Sequence, residues 1–476
     1  MVMLMKWEMV AGLEVHVELS TSSKIFCGCK NDFGGEPNTH VCPICTGMPG
    51  VLPVLNRRVA EFAVRTGLAL GCDITRLNKF DRKNYFYPDL PKAYQTSQLY
   101  MPICRNGGLD ISGKRIRLHE IHMEEDAGKL LHDPRGDCTL VDYNRCGIPL
   151  LEIVSEPDFR SADEVVEYLE KLREILLYLG VSDCKMQEGS MRADINLSIM
   201  PKGSNELGTR TEMKNMNSFK AIYRAVEFET QRQIDVIESG GKVLQETRRW
   251  DDNKGESFAM RSKENAQDYR YFPEPDLLPI QIDDEWISRT EEAMPEMPEK
   301  KRARYMQDYA MSEYDAKILT SAREWAALFE KTTELSGEPR EAANLIMVEL
   351  MRLCSDNSVL PEDLKIDPQK LAALIKLIVG GKINRNVGKK VLEEIFANDT
   401  EPEAYVKEQG LLIVEDMGLL EKTVDEVLGK NPKSVEDYKN GKGKAIGFLM
   451  GQVMQALGGK ADPKLVNSLL REKLEK

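Results

Sequence analysis

In the segment Leu13–Leu19, the apolar residues Leu13, Val15, Val17 and Leu19 alternate with Glu14, His16 and Glu18. A strand of that pattern carries both carboxylates and the imidazole on one face. Such a face suits a bound cation or acid–base chemistry, although a half-exposed sheet shows the same alternation. A second group, His119, Glu120, His122, Glu124, Glu125 and Asp126, crowds the stretch 118–128. It reads either as a solvated turn or as a set of oxygen ligands for a hard cation. Glu152 stands inside the apolar run Ile148, Leu150, Leu151, Ile153 and Val154, where a carboxylate requires a partner charge or a metal. Finally, Arg192, Asp194, Asn196 and Ser198 alternate with Ala193, Ile195, Leu197 and Ile199. Acidic clusters on several strands of one domain point to Mg²⁺-assisted chemistry on phosphate. The chain has no GxxxxGK[ST] element, so any ATP is held without a Walker A loop.

Cys27, Cys29, Cys42 and Cys45 follow the pattern C-x-C-x₁₂-C-x₂-C, a spacing for one tetrahedral Zn²⁺ held by thiolates. Four protein ligands leave no open coordination position, so this ion is expected to pin an irregular loop. No G-x-S-x-G sequence occurs and no cysteine has an evident histidine partner, which leaves a covalent nucleophile unsupported.

These residues must be positioned by an N-terminal domain. Nine of the ten cysteines lie at or before Cys184 and all five histidines at or before His132. From Val10 to about Ile282, short alternating segments mix with helical stretches at Arg57–Leu70, Ala162–Leu179 and Phe219–Ser239, the pattern of an α+β domain. Two prolines in Met294–Lys301 mark a linker, after which helical periodicity takes over, as in Glu341–Cys354 and Gln369–Val379. The length of 476 residues fits two or three domains. The apolar start carries Lys6 and Glu8, unlike a signal peptide, and no apolar run approaches the ~20 residues of a membrane helix. The expected location is the cytoplasm. A net charge of −13 opposes nucleic-acid binding over the whole surface, so any such contact must use a local basic region. The tail from Lys433 supplies one, in Lys439, Lys442, Lys444, Lys460 and Lys464.

Seven longer stretches carry a resemblance: Gly12–Leu19, Phe80–Asp89, Pro91–Gln95, Glu124–Lys129, Asp142–Arg145, Leu151–Asp158 and Asp268–Asp276. Together with Gly447–Met454 in the tail, they resemble signature segments of the GatB family, the tRNA-handling component of aspartyl/glutamyl-tRNA amidotransferases, along the whole chain. The resemblance implies an α+β fold, with an antiparallel-sheet catalytic cradle over residues 1–293, a helical domain over 294–405 and a small helical, tRNA-binding tail over 406–476. It also implies a ligase within a heterotrimer, whose other members are an amidase (the A component) and a small bracing component (C). A GatB-type chain binds mischarged tRNA, phosphorylates its carboxylate with ATP and Mg²⁺, and lets channelled ammonia displace phosphate. Carried onto this sequence, Glu14, His16, Glu125 and Glu152 match catalytic and Mg²⁺ positions, with Glu124 a further ligand. Lys83 and Lys92 fall where the family lines its ammonia path, and the strand pattern adds Asp194 as a possible path or substrate residue. Some members lack the four cysteines, so zinc rests on their spacing. The competing reading is a non-catalytic tRNA-binding scaffold whose acidic faces are merely solvated. The archaeal E-type counterpart is disfavoured because the passage from Asp276 to Met294 leaves little room for its inserted domain.

Overall fold

The alternation at Leu13–Leu19 belongs to a longer strand, β1 (Trp7–Glu18), at the centre of a ten-stranded sheet. The computed structural model describes residues 6–133, 136–262, 268–413, 417–440, 442–457, 461 and 463–475. It divides the chain into two compact units, Met1–Met297 and Pro298–Lys476, so the first ends slightly beyond the expected 293.

Ten strands of the first unit matter to the site. They are β1, β2 (Asp81–Asn84), β3 (Tyr94–Ser97), β4 (Lys114–Glu125), β5 (Pro149–Ser155), β6 (Met191–Pro201), β7 (Thr211–Lys214), β8 (Glu246–Asp251), β9 (Glu256–Ser262) and β10 (Phe272–Pro273). In the large sheet the order runs β9-β8-β7-β6-β1-β5-β4 and continues into two short strands. Neighbours pair antiparallel except β7 with β8, which are parallel. The expected antiparallel cradle therefore contains one parallel pair. Strands β10, β2 and β3 form a separate small sheet.

One face of the large sheet is apolar. Leu13, Val15 and Val17 of β1, Leu151 and Ile153 of β5, and Ala193, Ile195 and Leu197 of β6 are all buried. They share a core with Val59 and Phe62 of α1 (Arg57–Ala69), Val165, Leu169 and Leu172 of α2 (Ala162–Leu179), and Ile222 and Val226 of α3 (Phe219–Glu238). At roughly 25 cal/mol per Å² of apolar surface removed from water, this packing makes the sheet register costly to change. Ser161 caps α2 by accepting from Glu164 N–H, and Gly180 ends it at φ +64°; Ser218 caps α3 by accepting from Ala221 N–H.

The second unit is helical among its described residues, with two separate hydrophobic clusters. One gathers residues from Tyr305 to Val406, the other from Leu420 to Leu474. The expected helix over Glu341–Cys354 is interrupted by a π-helical turn at Leu345–Leu350 between Pro339–Asn344 and Met351–Asp356. No described helix is long and apolar enough to cross a membrane.

Glu229 on α3 is fully buried. It accepts from Thr211 Oγ1 at 2.7 Å, Gln233 Nε2 at 2.9 Å and Arg232 Nε at 2.8 Å, with Arg248 Nε 3.4 Å away. Burial acts to raise its pKa, but these donors, Arg232 first, hold it below the ordinary carboxylate value. Glu229→Ala removes the buried carboxylate that Arg232, Thr211 and Gln233 share at the junction of α3 with β7. We expect a loss of about 3 kcal/mol, read as a lower urea midpoint by the fluorescence of Trp250, which stacks edge-on against Phe228 of α3.

Candidate active site

Because the odd residues of β1 face the core, its even residues line the opposite face, and the register carries that face across the sheet. His16 pairs with Glu152 on one side and Arg192 on the other, and Glu152 pairs in turn with His122. One row along the strands, Glu14 lies between Val154 and Asp194. In the other direction Glu18 and Glu124 flank Leu150.

His16, Glu124 and Glu152 offer ligand atoms that all lie within 4.8 Å of one another. His16 Nε2 is 3.4 Å from Glu124 Oε1. Burial acts to lower the His16 pKa, but the hydrogen bond to Glu124 and the charges of Glu152 and Glu124 push it up to about 9. The same pairing overcomes burial at Glu124 and holds it down to about 2. Burial and the Glu124 charge raise Glu152. Two carboxylates and one imidazole gathered at this spacing form a negative socket, which the His16 proton partly neutralises; a divalent cation bound there takes the place of that proton, because an imidazole offers its nitrogen only when neutral. Lys83 of β2 faces the same socket. Burial alone would lower its pKa, but Glu124, Tyr271 and Glu152 raise it, and its Nζ lies 5.2 Å from the Tyr269 ring centre. Arg82 fixes this arrangement from the neighbouring position. Its guanidinium donates to Glu274 at 2.7 and 2.8 Å and to Asp276 at 2.9 Å, joining the stretches 80–89 and 268–276.

Glu14, Asp194 and Glu212 form a second group, also with ligand atoms within 4.8 Å. Asn196 Nδ2 donates to Glu14 Oε1 at 2.9 Å. The Lys214 ammonium pairs with Asp194 and, at 3.0 Å, with Glu212. A cation is thus already accommodated by these carboxylates. Beyond Glu14, a pocket of about 250 Å³ opens between Val10, Gly12, Val154, Pro157, Asn196, Ser198, Leu207 and Arg210.

Glu125 points the other way. The period of two that places Glu124 on the polar face turns its neighbour to the opposite side. There Glu125 pairs with Lys92, accepts from Thr96 N–H at 2.8 Å and borders a cavity that Cys27 and Cys45 also line. Cys27, Cys29, Cys42 and Cys45 converge with sulfur atoms within 4.8 Å, a set that could hold one metal ion.

Family models match nearly all of this architecture. One, described as the GatB/GatE catalytic domain, matches residues 9–288, and one described as the GatB domain matches 327–474. Relatives named as the B subunit of aspartyl/glutamyl-tRNA(Asn/Gln) amidotransferase align from end to end. That of Lachnoclostridium phytofermentans is 62% identical over 99% of both chains. That of Caldicellulosiruptor bescii is 57% identical over 99% of this chain and 100% of its own. The chain belongs to the GatB family. In this GatB-family chain both acidic groups and the four cysteines fall within the catalytic-domain match.

The single catalytic set expected from sequence is divided by the structure. His16, Glu124 and Glu152 meet, whereas Glu14 joins Asp194 in the second acidic group. Glu125 lies on the reverse face, and the two lysines separate accordingly, Lys83 toward Glu124 and Lys92 onto Glu125. Glu212 was missed because β7 spans only Thr211–Lys214, too short for an alternation to show. Lys439, Lys442, Lys444 and Lys464 are exposed, with Lys442 paired to Asp437 at 2.9 Å; Lys460 lies outside the described residues. Changing both Cys42 and Cys45 to Ser removes half of a four-sulfur set. Elemental analysis of the purified variant should show about one equivalent less metal than the parent protein.

Proposed function

We propose that this GatB-family chain is the tRNA-binding, ATP-using member of a heterotrimeric amidotransferase, working in the cytoplasm with an amidase (A) and a small bracing component (C). It converts the side-chain carboxylate of mischarged Glu-tRNA(Gln) or Asp-tRNA(Asn) to the amide. The observation that carries this reading is the pair of ligand clusters in successive rows of one sheet face, with a nucleoside-sized pocket beyond them.

His16, on giving up its proton, would hold one Mg²⁺ with Glu124 and Glu152, and Glu14, Asp194 and Glu212 would hold a second in place of the Lys214 ammonium. When bound, such ions neutralise phosphate charge and align the reacting oxygens. Same-face residues two apart on a strand are separated by about 6.8 Å, comparable to the span of a triphosphate. A nucleoside among Gly12, Asn196, Ser198 and Arg210 therefore directs its phosphates past Glu14 toward His16. Lys83, held by the aromatic rings and carboxylates around it, supplies positive charge where the γ-phosphate and the substrate carboxylate meet. The carboxylate oxygen attacks the γ-phosphorus and ADP departs, leaving an acyl phosphate. Ammonia then attacks the acyl carbon, and the C–O bond to phosphate breaks. A carboxylate is a poor acyl donor and the acyl phosphate a good one, so no enzyme nucleophile is required. Glu125 and Lys92 lie behind the strand and are assigned to ammonia delivery. Zn²⁺ is the ion assigned to the four thiolates.

With the assembled complex, mischarged tRNA and no glutamine, Glu152→Gln should lower ADP formation at least 100-fold. Unchanged turnover would remove Glu152 from the mechanism and favour the scaffold reading. The tail, residues 406–476, is proposed to fold as its own domain and to bind the tRNA backbone through its exposed lysines. Truncation near residue 405 should weaken tRNA binding at least tenfold in a filter assay while the first unit keeps its melting transition. Equal affinity after truncation would refute this assignment.

A further inference from the structure

The cavity beside Glu125 is built partly from the cysteine loop itself. It encloses about 110 Å³, and its walls include Cys27, Cys45, Gly47, Lys92, Glu125 and Gly147. Gly47 has φ +67°, and a Cβ placed there would fall 2.6 Å from Lys92 Cγ and 3.1 Å from Lys92 Cα. The loop backbone is therefore seated directly against the lysine stem, with no room for a side chain between them. Gly147 makes a second close approach: its Cβ position lies 3.6 Å from Cys45 Cβ and 3.9 Å from Glu125 Oε2.

Lys24 supplies an independent observation. It is completely buried, with Nζ 3.8 Å from Cys45 Sγ and 3.5 Å from the Tyr143 carbonyl oxygen. Among the described residues no carboxylate forms an ion pair with it. An ammonium removed from water requires a compensating anion. Four thiolates around a divalent cation carry net negative charge, whereas four thiols carry none. The Lys24 side chain thus fits the loaded cluster, and Lys24 N–H also binds the Cys29 carbonyl at 3.0 Å.

We infer that the ion held by the four cysteines positions Lys92 against Glu125, with Gly47 as the contact and Lys24 as the residue that stabilises the loaded loop. The four-cysteine cluster is then more than a clip for an irregular segment, since it sets one wall of the cavity on the reverse of the sheet. Only the consequence for ammonia delivery rests on the function proposed above for Glu125 and Lys92.

Hydrogen exchange read by mass spectrometry tests this on the assembled complex, comparing loaded protein with protein treated with a zinc-selective chelator in excess Mg²⁺. The Thr96 amide donates to Glu125 at 2.8 Å. Peptides covering 92–97 should exchange at least tenfold faster after ion removal, while the central strand 149–155 keeps its protection. Unchanged exchange at 92–97 would overturn the inference. So would equal loss of protection at 149–155, which would make the ion a requirement for folding. Lys24→Met should release the ion to chelator at least tenfold faster, and release at the parent rate would overturn the role given to Lys24. Amide formed per ADP should fall in the ion-depleted complex while ADP formation persists. Faster exchange with an unchanged amide-to-ADP ratio would keep the positioning inference and refute ammonia delivery through Glu125 and Lys92.

Discussion

Everything at the candidate active site depends on the period of two in four neighbouring antiparallel strands. Burying Leu13, Val15, Leu151, Ile153, Ile195 and Leu197 beneath three helices leaves the alternate residues no choice of side. The same hydrophobic packing that stabilises the first unit therefore assembles Glu14, His16, Glu124, Glu152 and Asp194 on one surface. Clustered carboxylates repel one another, and that cost is met locally by the His16 proton, Lys83, Arg192 and Lys214. Arg192 donates to Asp126 at 2.7 Å, so the compensation extends to the strand end. There burial and Asp126 push Glu18 up to about 8.

Much of this was readable from residue order. The alternation in Leu13–Leu19 and in Arg192–Ile199 identified two strands and their polar faces, and the spacing of the four cysteines identified residues that do converge. Helices α1, α2 and α3 fall where their periodicity placed them. What residue order does not contain is register between distant strands. That His16 stands opposite Glu152 while Glu14 stands opposite Asp194 is decided by pairing across more than a hundred residues, so residues expected as one metal-binding set fall into separate groups among the described residues. Glu212 lies in a four-residue strand with no readable period, and Gly47 matters through the proximity of Lys92. The π-helical turn at Leu345–Leu350 carries no breaker residue, which explains why an uninterrupted helix was expected there.

The stretch 268–276 shows a different limit. Its aromatic and acidic residues have no periodic meaning, yet Arg82 binds Glu274 and Asp276 and Asn84 Nδ2 donates to the Arg270 carbonyl at 2.8 Å. The charge-assisted Arg82 bonds and this amide bond together bring Tyr269 and Tyr271 around Lys83. A resemblance between signature stretches could flag both segments, but only the fold shows that they form one wall.

Glu124 and Glu125 are adjacent in sequence and face opposite sides of the sheet. Their separation is maintained by the pairing of β4 with β5 from Glu120 to Glu125, beyond a register shift that sets Leu118 opposite Ser155 but Glu120 opposite Val154. An insertion or deletion of one residue between Ile121 and Met123 would exchange the surroundings of the two carboxylates without altering either side chain. Only the segment up to that shift can therefore absorb an added or lost residue, while the last turns of the pleat admit substitution but not a change of length.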